Sequence, residues 1–268
     1  MIEALPDYLP MDARIQSLAR AKAILDVLAD QPGWVRLREI TAHTGLVKAT
    51  AFNLVTALAE LGLVEHDQRR GVYRLGLQAL VYGRAVERRL DVVAIMRPHL
   101  VKLCADTLET VNLAMPGPVE AVIVESLEGS QTLRVTSYTG TRASYYATAC
   151  GRALLAHQPE AARRHILSLL RLVPLTPNTT TDVAALERIL ADCRRDGFVC
   201  EIEENEPGGT CVAAPVMLAG KAVAAVSIAG PAFRMGEFQR LRFGGILKDV
   251  MALAARDLEA AASLGAAA

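Results

Sequence analysis

Apolar residues recur along this chain with two different periods, and the change between them divides it. Leu18, Ala21, Ile24, Leu25 and Leu28 fall at helical spacing, with Ser17 as the expected N-cap and Pro32-Gly33 as the stop. A short helix over Leu37–His43 runs into Thr44-Gly45-Leu46, where the glycine can form a tight turn between helices. The next helix carries Phe52, Val55, Leu58 and Leu61 as one apolar stripe, so that Lys48, Thr50, Asn53 and Thr56 face outward. Gly62 ends it. Leu63–Glu65 and Val72–Leu75 then read as two strands around a charged tip, Asp67-Gln68-Arg69-Arg70-Gly71. Helix, turn, helix and basic hairpin together form the plan of a winged helix-turn-helix that reads DNA.

After Gly76 the helical period returns. Leu77, Leu80, Val81, Ala85 and Val86 form an apolar face reaching Leu90, with Arg84, Arg88 and Arg89 opposite. A further helix starts at Asp91, and Pro98 should bend it or mark a new start. With no turn-rich linker around them, these helices are expected to act as a firm spacer, and either help hold a dimer or simply cap the second domain. From Thr110 the pattern shortens to strands at Val111–Met115, Val119–Leu127 and Thr132–Tyr138. Helical patterns follow at Ala149–His157, Glu160–Leu170 and Asp182–Asp196, then strands at Phe198–Glu204, Cys211–Met217 and Ala222–Ala229. A helix from about Gly236 runs into an alanine-rich tail. Strand triplets separated by a helical block predict an α+β domain with a mostly antiparallel sheet.

Composition narrows the classes. At 268 residues the chain has room for two domains, and its 52% hydrophobic content suits globular cores. Its 29 basic residues balance 29 acidic ones, so no global field draws it to nucleic acid. Over 36–76 there are six basic and four acidic residues, a net of +2, so DNA affinity must come from local placement and from dimerisation. Five unclustered cysteines argue against a disulfide framework and a paired-cysteine zinc site. The first sixteen residues, with acids and prolines, do not read as a signal peptide. No stretch approaches the roughly 18 apolar residues a membrane span needs. A reduced, cytoplasmic protein with no membrane partner, metal or cofactor is expected.

Four phrases, in this order, carry a resemblance: ITAHTGLVKATAFNLVTALAELGLVE with YRLG, YYATACGRALLA, the Glu-Glu pair before GGTCVAAPV, and AAVSIAGP. The chain resembles the IclR family of bacterial transcriptional regulators over nearly its whole length. That implies a winged helix-turn-helix at 14–76, a linker helix at 77–90 and a GAF-like α/β effector domain with an antiparallel sheet at 91–262. It also implies dimers, or dimers of dimers, on palindromic double-stranded operators, and a small-molecule effector such as an organic acid or simple aromatic catabolite. The chain departs from the family at Asn53, where members carry a basic residue; an asparagine can instead bond adenine through two contacts.

Candidate DNA contacts are Lys48, Thr50 and Asn53 near the start of the recognition helix, Arg69 and Arg70 at the hairpin tip, and Arg36 and Arg38 on the backbone. Arg20 and Lys22 are phosphate contacts or plain solvated charges. For the effector, Cys150 and Gly151 lie where irregular chain enters a helix, with unpaired N–H groups and room for close approach. The resemblance adds Glu201, Cys211 and Ser227, with Ala229 replacing a second serine of some members. Met115, Tyr145 and Tyr146 are candidate walls on position alone.

Two other classes compete. Cys150 at a helix start, with Glu201 as base, sketches a thiol hydrolase, although His157 sits too far along the same helix to activate it. A scattered Cys150, Glu201, Cys211 metal set is weakly signalled. The small local charge and Asn53 also admit a regulator that acts through protein partners. No catalytic residue is expected.

Overall fold

A computed structural model describes residues 15–87 and 91–265. The N-terminal arm, Arg88 to Leu90 and the end of the alanine tail lie outside the described residues. The chain divides between residues 90 and 91 into two compact units.

In the first unit, α1 (Gln16–Ala29), α2 (Leu37–Thr44) and α3 (Lys48–Glu60) precede the hairpin of β2 (Val64–Asp67) and β3 (Val72–Leu75). The two-residue strand β1 (Val35–Arg36) pairs with β3, giving an antiparallel sheet in the order β1-β3-β2. Ile24, Val27, Leu28, Ile40, Val55 and Leu58 are among the side chains that bury together, each worth about 1.5–3 kcal/mol when fully covered. Gly45, at φ 66°, caps α2 in the left-handed region and makes the turn into α3. Gly62, at φ 71°, follows the end of α3 as expected.

Three expectations here need correction. Ser17 lies inside α1, whose N-cap is Ile15 with no side-chain bond. Leu18 is exposed. The buried stripe of α3 is Ala51, Val55 and Leu58, whereas Phe52 is 49% and Leu61 67% exposed. Both choices fit the helical period, but the smaller Ala51 occupies the fully buried position. The helix α4 (Gln78–Glu87) forms as predicted, and Leu77, Leu80, Val81, Tyr82 and Val86 are all exposed.

The second unit opens with α5 (Asp91–Thr107), which passes through Pro98 unbroken. Its sheet comprises β4 (Thr110–Met115), β5 (Ala121–Leu127), β6 (Arg142–Ala143), β7 (Val199–Ile202), β8 (Gly209–Leu218) and β9 (Lys221–Pro231). All pairings are antiparallel, in the order β6-β5-β4-β9-β8-β7. The predicted strand over Thr132–Tyr138 does not form. That segment stays outside the ladder, with Leu133 and Tyr138 exposed, and is tied down by Thr110 Oγ1 donating to the Val135 carbonyl at 2.5 Å.

Side chains alternate across this sheet, and both faces are covered. Val111, Leu113, Val212, Val226 and Ile228 meet Met96 and Leu100 of α5 and Phe243 and Leu247 of α9 (Glu237–Gly265). Ala114, Ile123, Ala213 and Ala225 meet α6 (Ala149–Ala156) and α8 (Val183–Asp196). Asp182 caps α8, accepting the Ala185 N–H at 2.8 Å. Between them, α7 (Glu160–Leu169) packs Ile166 and Leu167 on the same core. No helix among the described residues is long and apolar enough to cross a membrane.

Candidate functional site

In the first unit the candidate contacts lie on one end of α3 and on the hairpin tip. At about 100° per residue, Asn53 stands about 160° from both Ala51 and Val55. It therefore sits at the middle of the exposed face, with Lys48 exposed at the first position and Thr50 half-buried on the flank. Asp67 Oδ1 accepts the backbone N–H groups of Arg69 (3.0 Å) and Arg70 (3.1 Å). This Asx turn fixes the tip while both guanidinium groups remain exposed. Arg36 and Arg38 are also exposed; Glu39 accepts the Arg36 N–H at 2.7 Å. Arg74 is already engaged, bonded to Glu65 at 2.7 Å and lying 4.4 Å over Trp34. Lys22 pairs with Asp26 at 2.6 Å, so it reads as a helix-surface ion pair.

In the second unit, strand register builds a polar floor. Asn112 on β4 faces Ser227 on β9, while Glu201 on β7 faces Cys211 on β8, which in turn faces Ala229 on β9. These five residues line a cavity of about 180 Å³, roofed by Thr148, Ala149 and Cys150 at the start of α6 and by the 135–143 segment. Thr148 caps α6, accepting the Gly151 N–H at 3.1 Å.

Thus the predicted Cys150, Glu201, Cys211 and Ser227 converge on one space. Four other candidates do not line it. Met115 packs into the α5/α9 core, one residue out of phase with the cavity-facing Asn112 and Ala114 side of β4. Tyr145 donates to the Gly117 carbonyl at 2.7 Å and Tyr146 to that of Val173 at 3.0 Å, so both are buried struts. Gly151 is required for close approach, but of protein rather than ligand: a Cβ there would lie 2.0 Å from the Ser144 carbonyl oxygen. Asn112 escaped sequence reasoning, although a lone amide in the apolar run TVNLAM is a usable signal. It is 4% exposed and accepts from Ser126 Oγ at 2.8 Å.

Burial dominates the electrostatics. Burial raises the Glu201 carboxyl from 4.5 to about 7, even though it accepts N–H groups from Glu204 (2.6 Å) and Asn205 (3.2 Å). Behind it, Arg152 is 1% exposed and grips both oxygens of Glu204, at 2.6 and 2.5 Å, while its Nε donates to the Tyr146 carbonyl at 2.7 Å. Burial pushes the Cys150 thiol up to about 12, and burial with the Glu201 charge pushes Cys211 well above its usual value. Neither is a ready thiolate, which removes the nucleophile from the hydrolase alternative. Among the described residues no cluster of three His, Cys, Asp or Glu is placed to hold a metal.

The raised Glu201 value has a stability consequence. The native chain holds a proton that the unfolded chain releases, so stability is lost as pH rises from about 4.5 through about 7. The full effect is about 3 kcal/mol. Glu201→Gln keeps an acceptor for both N–H groups and cannot ionise. Its thermal midpoint is expected to match that of the parent near pH 5 and exceed it near pH 8; equal midpoints throughout would refute the assignment.

Comparisons with known proteins agree with these features. The domain described as "IclR helix-turn-helix domain" matches residues 17–68, and "Bacterial transcriptional regulator IclR C-terminal" matches residues 84–257. The chain is 35% identical over 245 residues to the HTH-type transcriptional regulator BhcR of Paracoccus denitrificans, covering 91% of this chain and 86% of that protein. The Thermotoga maritima IclR structure superposes with a TM-score of 0.65 at 33% identity, covering 90% of this chain and 98% of that one. An IclR homologue of Microbacterium hydrocarbonoxydans, solved in complex with 4-hydroxybenzoate, gives a TM-score of 0.70 at 25% identity over 91% and 99% of the two chains. The Paracoccus denitrificans relative is named as a transcriptional regulator. With the helix-turn-helix, the antiparallel effector sheet and these matches together, the chain belongs to the IclR family of bacterial transcriptional regulators.

Proposed function

We propose that this regulator binds palindromic operator DNA as a dimer or dimer of dimers, in the cytoplasm, and changes its affinity when a small organic acid or one-ring aromatic compound enters the second unit. The reading assigns 14–76 to DNA binding, 77–90 to the linker and 91–262 to effector binding. Lys48, Thr50 and Asn53 contact bases, while Arg36, Arg38, Arg69 and Arg70 contact backbone. Cys150, Glu201, Cys211 and Ser227, with Asn112, contact the effector. The observation that carries it is the partly enclosed, polar-floored cavity in a chain that also presents Lys48 and Asn53 on the exposed face of α3. At about 180 Å³ the cavity is close to the roughly 150 Å³ apolar cavity that admits benzene, so one ring or a short chain fits. The 4-hydroxybenzoate complex of the homologue supports the same size class. The exposed apolar side chains of α4 support a second copy across that helix.

Fluorescence anisotropy on fragments of the protein's own promoter tests it. Binding should weaken steeply with salt, as counterion release requires. Asn53→Ala should cost ~1–3 kcal/mol at one operator position and relax the preference there. Arg70→Ala should weaken all sequences alike and lower the salt slope by about one. Absence of salt-sensitive binding, with and without candidate acids, would sink the reading and favour a regulator acting through protein partners. Uniform loss with Asn53→Ala would remove its base-reading role.

A further inference from the structure

The cavity holds a buried carboxylate, yet the charges that could balance a second one are already engaged. Glu201 is 3% exposed, and its Oε1 is taken up by the two N–H groups of the β7–β8 loop. Neutral groups share the cavity with it: Cys211 opposite it on β8, Ser227 on β9 and Cys150 on α6. The cations nearby are spoken for. Arg152 on α6 spends its guanidinium on Glu204 and the Tyr146 carbonyl. Arg142, on β6 in the cavity wall, lies 3.7 Å from Glu120. The loop adds two more carboxyls: Glu206, which lines the cavity, and Glu203, which accepts the Gly208 N–H at 2.8 Å. A second carboxylate brought against so buried a carboxyl cannot stay ionised together with it.

We propose that this site takes a carboxylate effector only together with a proton, which the ligand carboxylate and Glu201 then share in one hydrogen bond. The proton comes from solvent, no covalent bond changes, and the complex carries one negative charge where separate ions would carry two. The raised Glu201 value places the switch near neutrality, so binding of acids falls as the carboxyl empties. A neutral amide of the same shape takes up no proton, because its carbonyl accepts from protonated Glu201 and its N–H donates to ionised Glu201. The inference rests on reading the cavity as the effector site, and it makes effector acids weaker signals in alkaline conditions.

Titration calorimetry on the full chain tests it with matched probes: 4-hydroxybenzoate against 4-hydroxybenzamide, benzoate against benzamide, and glycolate against glycolamide. Acid affinity should fall roughly tenfold per pH unit above about pH 7, with uptake approaching one proton per acid measured in two buffers of different ionisation enthalpy. Amide affinity should stay level. In Glu201→Gln the acids should bind without proton uptake and with no fall between about pH 6 and 8. Acid affinity unchanged by pH in the parent, a pH dependence that survives Glu201→Gln, or failure of every acid to bind near pH 6 would each overturn the proposal. Promoter binding on the same preparations separates the outcomes: its loss counts against the regulator reading, whereas its persistence confines the failure to proton sharing.

Discussion

Arg152→Met is expected to destabilise the second unit by about 3–5 kcal/mol, the cost of stranding one member of a buried ion pair. The wild-type guanidinium makes three bonds, and none is replaceable by a thioether. Burial alone would raise the Glu204 carboxyl, but the bonds and charge of Arg152 outweigh it and hold that group below its ordinary value. Without arginine, Glu204 must take a proton or pull toward water. Either response disturbs the loop whose N–H groups hold Glu201, so effector affinity should fall with stability. Urea unfolding of the single variant and of a double variant separates charge from packing. The double change Arg152→Met, Glu204→Leu should recover part of the loss, because a hydrophobic pair of similar volume tolerates burial. A loss under about 1 kcal/mol for the single variant would show that the pair is dispensable.

Gly151→Ala should be at least as damaging, for a steric reason. The added methyl would stand 2.0 Å from the Ser144 oxygen, 2.7 Å from its carbonyl carbon and 2.8 Å from Tyr145 Cα. Those are backbone atoms, and the Ser144 oxygen already accepts from the Thr148 N–H at 3.2 Å and its hydroxyl at 2.8 Å. Neither side can yield without unseating the start of α6, which roofs the cavity. A loss above about 3 kcal/mol is expected, within the range of severe overpacking. Gly245→Ala is the contrast: a helical, exposed glycine with nothing within 4 Å of the added methyl. It should be neutral or stabilising by up to about 1 kcal/mol. Thermal unfolding of the two alanine variants side by side checks both, and similar midpoints would refute the steric account.

How far the sequence revealed these features depended on whether the signal was local. Gly45 and Gly62 marked the ends of α2 and α3 because backbone geometry there is dictated within a few residues. The convergence of Cys150, Glu201, Cys211 and Ser227 was legible through the ordered family phrases. Other features depended on what lies across the fold. Helical period allowed either Ala51 or Phe52 to face inward, and only the tertiary contact selects the smaller. Met115 looked like a cavity wall because strand alternation shows two faces but not which of them meets α6. Strands β1 and β6, of two residues each, are too short to display any period. Thr132–Tyr138 alternates as a strand would, yet it pairs with no strand of the sheet. The hydroxyl bonds of Tyr145 and Tyr146 reach 28 and 27 residues away, beyond any local reading.

The β8–β9 ladder carries a register shift between Val216 and Met217, close to its hairpin. On the near side of that bulge, Cys211, Ser227 and Ala229 look into the cavity while Val212 and Ile228 look the other way. The bulge already holds Val223 as an unpaired residue, and a longer hairpin tip beyond it would leave the cavity register unchanged. One residue gained or lost nearer the cavity would turn every later side chain of that strand inside out. Changes in ligand taste are thereby channelled into exchanging side chains at fixed places rather than into altering strand length.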